Sequence, residues 1–478
     1  MDKENSVQTD HKVEQPTHLA DTTHYDVIIV GGGMIGASMA LALSTVQSHQ
    51  DDQSQSDQAL SIAMVDAVAF QQSPSPSFDD RSVALSYGSK KIFETLGIWS
   101  QLSSVSEPIE HIHVSDKGHM GMCRLHAEDY EQEALGYVVE NRALGQVLHQ
   151  QLTQRGIDII APAEVVALDH KQHSQNTKLS IITLKQQQQR VQLSSPLIIA
   201  ADGAQSPMAT RLNIAKQRFD YPQMAAICNI KTSQPLSGWA FERFTDTGPL
   251  ALLPLSKNRY SVVWTFSAEQ RQSMESMDDE CFKAALQQRF GYRAGIIEQV
   301  GKRIIYPLSL QKLQRGYRHN TVFIGNALHS GHPVAGQGFN LGLRDVAQLA
   351  ETIALARHYN LPLADQTLLE YFWQQRQKDI DETLAITDAL AHLFANRNRL
   401  LVLARNLSLK WLDIIKPAKH RFAEKAMGLR NDMPMLARGL ALSNIHKMPV
   451  PDVLNSLITQ SQLSSLNRDH EKESCLGA

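Results

Sequence analysis

The chain is poor in cysteine and has no paired cysteine motif. Cys123, Cys228, Cys281 and Cys475 are scattered through 478 residues without a CxxC. That argues against a disulfide framework, a thiol redox centre or a zinc ribbon, and points to a reducing cytoplasm. HExxH is absent, and the pairs His111/His113 and His329/His332 have no evident partner ligands, so no metal site is expected. A dominant charge is missing too: 46 Lys+Arg against 49 Asp+Glu leave a formal net charge of −3, which gives no general reason to expect nucleic acid as a partner. No apolar run approaches the ~18 residues of a spanning helix. The polar opening, residues 1–24, reads as a disordered tail rather than a signal peptide or anchor.

What is present is a globular composition, 42% hydrophobic and 20% charged, in a chain long enough for two domains. It also carries three glycine-containing turns, each following a strand-like run. In YDVIIVGGGMIGASMALALS, the β-rich run Val27 to Val30 leads into Gly31-x-Gly33-x-x-Gly36 and then an Ala- and Leu-rich helical pattern. Strand, tight turn and helix in that order let the backbone approach a pyrophosphate, whose charge rests on free N–H groups at the helix N-terminus. A side chain at Gly33 would take the phosphate's place. The next strand-like run, LSIAMVDA, ends in Asp66, the acid expected at the adenosine ribose. Its separation from Gly36 exceeds the usual ~20 residues, and the polar stretch Ser48 to Ala59 reads as the surface insertion that accounts for this.

The second turn, LIIAADGAQSPMATR, places Asp202-Gly203 after an apolar strand, with Ser206 and Arg211 beyond. Alone, Asp-Gly is more often a simple turn. The third, TVFIGNALHSGHPVAGQGFNLGLRDV, joins a strand to a helix through Gly325-Asn326 and a loop holding His332, Pro333, Gly336, Gln337, Gly338 and Asn340. These glycines either pack a helix against a sheet or keep a backbone surface clear for a flat ligand.

Together the three segments resemble the FAD-dependent aromatic hydroxylases of the p-hydroxybenzoate hydroxylase class, over roughly Tyr25 to Leu429. Within that class, GN followed by HPVAGQGFNLGLRDV is similar to the ubiquinone-biosynthesis hydroxylases; IHVSDKGHMG and ALGYVVENRALG point to the branch acting on 2-polyprenyl-6-methoxyphenols. The resemblance implies an α/β fold: an FAD-binding Rossmann-type domain with an inserted antiparallel-sheet substrate domain and C-terminal helices. It implies FAD at Gly31, Gly33, Gly36 and Asp66, with Arg81 near the flavin and Arg142 contacting the cofactor. Asp202 and Gly203 would lie beside FAD and contribute to use of NADPH or NADH, and Gly325-Asn326 would meet the ribitol. The class usually has Gly-Asp there; Asn keeps the hydrogen bonds without the charge. The loop from Gly331 to Gly342 would lie against the flavin ring, with Pro333 fixing one edge and His332 either assisting proton movement or serving structurally.

The implied reaction is ring hydroxylation by NAD(P)H and O2, in which reduced flavin traps oxygen as a C4a-hydroperoxide and an electron-rich phenol attacks it. Substrate candidates come from the β-rich stretch Trp239 to Ser267: Arg243, Phe244, Leu253 and Pro254. Trp239 and Trp264 read as sheet packing. The expected boundaries are 25–108, 137–217 and 300–364 for the FAD domain, 109–136 and 218–299 for the substrate domain, 365–460 for a helical region and 461–478 for a flexible tail. Leu400, Leu403, Leu407, Trp411 and Ile414 form one apolar stripe flanked by basic residues. It is either a core helix with a solvated face or a helix lying on anionic lipid at the cytoplasmic face of the inner membrane. Assembly with other ubiquinone-biosynthesis proteins leaves no sequence signature. Competing readings are another ring hydroxylase of the same pathway, an FAD-dependent dehydrogenase or prenyl reductase, and a non-catalytic carrier of prenylated molecules.

Overall fold

The computed structural model describes residues 22–46, 59–70, 81–172, 178–234, 236–331, 336–395, 406, 410–411, 413–429, 432–459 and 461. The sequence-level proposals for His332 and Pro333, for the insertion at 48–58, and for Leu400, Leu403 and Leu407 lie outside the described residues.

Three short runs, Val27–Val30, Ile62–Val65 and Leu197–Ala200, are buried along their whole length and pair in parallel. Uniform burial is what a parallel sheet covered on both faces requires. They lie within a six-stranded sheet ordered Tyr317–Arg318, Thr321–Phe323, Leu197–Ala200, Val27–Val30, Ile62–Val65, Asp158–Ile160. The chain leaves the central Val27–Val30 strand toward one neighbour and later returns on the other side. The crevice at the carboxyl ends of these strands is therefore a topological switch point, where ligands bind in open α/β sheets. Two helices pack together over this sheet, Met34–Leu43 and the almost wholly buried Gln337–His358. A four-stranded sheet adds the strands Glu164–Gln172, Lys178–Gln186 and Gln189–Ser195, and Thr23–His24 pairs in parallel with Leu193 and Ser194. Order thus begins inside the stretch expected to be a tail.

The second large sheet has nine strands. Its path runs His329–Ser330, Ile304–Leu313, Lys216–Thr232, Arg259–Ser267, Gly248–Leu255, Trp239–Thr245, His111–Asp116, Met122–His126, with Ile297–Val300 paired to the long Lys216–Thr232 strand. Ile304–Leu313 and His329–Ser330 fall within 300–364, the segment expected in the FAD domain, yet both are strands of this sheet. The reason is the length of Lys216–Thr232: its 17 residues bend at a register shift between Asp220 and Met224 and offer an edge that Ile304–Leu313 follows on both sides of the shift.

Alternation along the strands divides the two faces of the nine-stranded sheet. On the outer face Phe241, Leu250, Leu252, Trp264 and Phe266 pack against Phe282, Leu286 and Phe290 of the helix Asp279–Phe290. Trp239 borders the same cluster, so both tryptophans pack the sheet. On the inner face Ala240, Leu253 and Leu255 meet Ile109, Val138 and Ala84, residues of the three-stranded sheet Ser82–Ser86, Gly136–Glu140, Ser106–Ile109. That small sheet joins the roof to the dinucleotide-binding layer.

Candidate flavin and substrate site

The first glycine turn is held by contacts that admit no side chain at two of its positions. Gly31 sits at φ +108°, and a Cβ there would come within 2.4 Å of the Ala201 carbonyl oxygen. At Gly36 a Cβ would lie 1.8 Å from the Gly31 carbonyl oxygen. At Gly33, by contrast, a Cβ would meet nothing within 4 Å. Gly33 is the N-cap of Met34–Leu43, whose first turn carries no acidic residue, so the positive end of that helix faces open space. Asp66 closes the turn from the neighbouring strand. Its Oδ2 accepts the Gly32 amide at 2.5 Å and its Oδ1 the Val68 amide at 2.7 Å, and lone pairs remain for a ribose hydroxyl.

The Asp202-Gly203 segment forms the other wall of this space. Gly31, Gly33, Asp66, Asp202, Gly203 and Met208 line one cavity of about 350 Å³. Asp202 accepts Ser206 Oγ at 2.6 Å and the Met208 amide at 3.0 Å, while burial pushes its carboxyl above the ordinary aspartate value. Glycines where the backbone must close, a bare helix N-terminus and an acid at the end of the second strand are the donor set that a dinucleotide pyrophosphate and ribose need. The residues fit FAD.

The third segment locks onto the first. Gly325, at φ +59°, and Gly342 both press on Ile35, where added Cβ atoms would lie 3.0 and 2.8 Å from its side chain. Asn326 is exposed in the turn that follows. Behind the turn lies an ionic network. Asp345 Oδ2 accepts the Gly325 amide at 2.9 Å and meets His329 Nε2 at 2.7 Å, and its Oδ1 takes Arg376 Nε at 2.7 Å. Arg376 and Arg344 both donate to Asp379 Oδ2, at 2.6 and 2.7 Å. Paired guanidinium and imidazole groups hold Asp345 below the usual carboxylate range despite burial, and the same pairing raises Arg376. Sequence reasoning missed this network; its one local trace is Arg344-Asp345 set inside the otherwise apolar LGLRDVAQLA.

Asn340 plays a different part from the cofactor contact expected of it. Its Oδ1 accepts the Ser86 amide and Ser89 Oγ at 2.8 and 2.7 Å, and its Nδ2 donates to the carbonyls of Ala84 and Gly336 at 2.9 and 3.0 Å. Two acceptor and two donor positions exhaust an amide. The side chain therefore braces Gly336, which stands at φ +61° as the N-cap of Gln337–His358, against the Ser82–Ser86 strand. Gly338 has open space where a Cβ would be, and Gln337 begins the helix. Arg81 lies exposed at the start of Ser82–Ser86, where its charge is felt by Tyr306 of the nine-stranded sheet. Arg142, in the first turn of Asn141–Gln154, reaches Gln146 at 3.1 Å and Glu140 at 3.9 Å.

The four substrate candidates divide between the faces of the sheet. Phe244 and Leu253 are on the inner face: Leu253 borders the Ala84 cluster, and Phe244 packs with Tyr130, Ala423 and Met427. Arg243 and Pro254 alternate to the outer face. Arg243 shares that face with His113, whose pKa is lowered to about 4 by burial and then by Arg293, Arg124 and Arg243. Adjacent residues of a flat strand cannot line one site.

Solved structures show the same architecture. The p-nitrophenol 4-monooxygenase from Pseudomonas putida superposes with a TM-score of 0.69 at 15% identity, covering 86% of this chain and all of that one. The anhydrotetracycline hydroxylase from Streptomyces rimosus gives 0.63 at 18% identity, covering 86% and 78%. Residues 24–384 match the FAD binding domain family, and the chain belongs to it. It is an FAD-dependent monooxygenase, of a class that takes its electrons from NAD(P)H. Among sequence relatives, the ubiquinone hydroxylase UbiL of Rhodospirillum rubrum is 33% identical over 421 residues, 87% of this chain and 93% of that protein. The human mitochondrial ubiquinone biosynthesis monooxygenase COQ6 is 26% identical over 447 residues, covering 84% of this chain and 93% of that protein.

Proposed function

We propose that this monooxygenase hydroxylates the ring of a 2-polyprenyl-6-methoxyphenol in ubiquinone biosynthesis, giving the benzoquinol. The observation that carries the reading is convergence. Gly31 rests on Ala201, Gly325 and Gly342 rest on Ile35, and Gly336 is braced to Ala84, which packs under Ala240 and Leu253 of the roof sheet. The dinucleotide turn, the residues that flank the flavin-side loop and the inner face of the roof sheet are thus joined by direct contacts.

FAD reduced by NAD(P)H supplies oxygen activation. The chain's own part is to bind, orient and exclude water. Gly33 and the helix Met34–Leu43 would take the pyrophosphate, Asp66 the ribose and Asn326 the ribitol. Leu253 and Ala251, partly exposed on the inner face, offer an apolar wall to the ring and the start of its tail, which keeps water from a reactive centre.

The tail also needs a route from lipid. Trp411 and Ile414 are 59% and 72% exposed, so the described part of the apolar stripe faces outward. Asn406 bonds Gly121 and Asp116, and Asp413 accepts the Arg124 amide, which sets this segment along the hairpin bearing exposed Met120 and Met122. With Lys410, Lys416 and Arg421 nearby in sequence, the patch suits an anionic lipid surface. Among the described residues no helix is long and apolar enough to cross a membrane.

Rapid-mixing reduction of the FAD-loaded protein by NADPH and NADH, with and without a short-chain 2-prenyl-6-methoxyphenol, tests the reading. Reduction accelerated by the phenol supports it; reduction indifferent to the phenol favours a dehydrogenase or reductase.

A further inference from the structure

The inner face of the roof sheet carries several polar residues, among them Asp116, Arg259 and Thr265, and one carboxyl set among apolar neighbours. Glu242 lies between Ala240 and Phe244 on the Trp239–Thr245 strand, and its cross-strand neighbours are Val114 and Ala251. Its Oε1 is sealed from solvent and has no hydrogen-bond partner among the described residues, while the residue as a whole keeps partial exposure. A carboxylate oxygen sealed without a partner is costly, and its persistence among apolar neighbours calls for a ligand that completes it.

The location fits such a ligand. Ala240, two residues away on the same face, belongs to the cluster containing Ala84, and Ala84 is the residue pressed by Gly336 of the flavin-side loop. Two residues along a strand span about 7 Å. Glu242 is therefore within a ring's width of the roof position directly over that loop.

Resting on the hydroxylase reading above, we propose that Glu242 accepts the proton of the substrate's ring hydroxyl. The O–H bond breaks, the proton passes to a carboxylate oxygen, and the electron pair stays on the phenolic oxygen, raising electron density at the ring carbons ortho and para to it. No electrons leave the ring in this step, and the proton returns to solvent after product departs.

Acidity supports the assignment. Burial alone pushes the Glu242 carboxyl up to about 7. A phenol ionises near 10, so an ordinary glutamate near 4.3 would be about six units too weak a base, and Glu242 is about half that. Among the described residues the other acids near this face already have partners; Asp116, diagonal to Glu242 on the neighbouring strand, accepts Asn406 Nδ2 at 2.9 Å. On the elements facing this side of the sheet, Asp388 is held by Tyr221, Glu382 by Lys425, Asp381 by Lys312 and Glu140 by Arg259.

The test uses the oxidised, FAD-loaded full chain with a short-chain 2-prenyl-6-methoxyphenol as probe, comparing wild type, Glu242→Gln and Glu242→Asp. Flavin difference absorption reads phenol affinity before any reductant is added, and product analysis reads hydroxylation. Because Glu242 is about three units too weak to ionise the phenol fully, only about one bound phenol in 10³ is phenolate at rest, so the pH dependence falls on affinity and rate. In the wild type both should rise with pH through about 7, as the carboxylate becomes free to accept the ring hydroxyl. Glu242→Gln should bind FAD and, at about pH 6, the phenol within about threefold of wild type, lose both pH dependences, and hydroxylate about 10²-fold or more slowly. Glu242→Asp should restore part of the rate. The same pH dependences in Glu242→Gln overturn the proposal. So does a wild-type affinity that is flat from about pH 6 to 8, a result readable even where the variants fail to fold. A wild type whose affinity rises through about 7 yet forms no hydroxylated product would instead remove the hydroxylase reading and leave the contact of Glu242 with the phenol standing.

Discussion

The Asp345 carboxylate holds the Gly325 amide at 2.9 Å from a position 20 residues further along the chain, inside the buried helix Gln337–His358. One side chain thereby fixes the turn that carries Asn326, and the same carboxylate answers to Arg376 and His329. Replacing Asp345 with Asn would leave the buried Arg376 only Asp379, which it shares with Arg344, as a charged partner, and should cost about 3 kcal/mol in urea unfolding. Because the folded pKa of Asp345 is depressed, its contribution is present above the unfolded carboxylate value and is lost as pH falls through the folded one. Stability measured from pH 6 down to 3 should fall more steeply in wild type than in Asp345→Asn.

Gly33 and Gly36 should fail in different ways. An alanine at Gly36 would set its Cβ 1.8 Å from a backbone oxygen, so Gly36→Ala should destabilise the apoprotein by several kcal/mol. Open space at Gly33 lets Gly33→Val fold with a melting temperature close to wild type, while the side chain fills the pyrophosphate position. Fluorescence titration with FAD should then show affinity reduced at least 100-fold.

Asn340 and Asn326 offer a second contrast. Four internal hydrogen bonds are lost in Asn340→Ala, and with buried groups left unpaired the cost should be about 2–4 kcal/mol. Asn326→Ala removes an exposed side chain. It should leave unfolding unchanged and weaken flavin retention, measured by dialysis against potassium bromide.

Face assignment predicts which candidates govern the phenol. Leu253→Ser on the inner face should raise KM for a prenylated phenol several-fold, whereas Pro254→Ala on the outer face should leave it within about twofold. Equal effects of the two in steady-state kinetics would place the ring elsewhere.

Much of the dinucleotide layer was legible because its signals are local. The φ +108° of Gly31 and the buried VIIV strand follow from a few adjacent residues, and Asp66 was found by its place at the end of the next strand. The network of Asp345, Arg376 and Asp379 was not legible, since it joins two helices whose packing no window of sequence displays. Nor was the membership of Ile304–Leu313 in the roof sheet, which depends on a register shift in a distant strand. Arg243 and Phe244 are a case where simple alternation already forbade both from facing one site. The bracing role of the Asn340 amide was not legible either, because a fully committed amide and a ligand-binding amide look alike in sequence.

The most direct measurement is product analysis after turnover with NADPH, a short-chain 2-prenyl-6-methoxyphenol and 18O-labelled dioxygen. One labelled hydroxyl on the ring, with label absent when only the water is enriched, is the predicted result. An unlabelled product, or NADPH oxidation with the ring unchanged, would contradict the account.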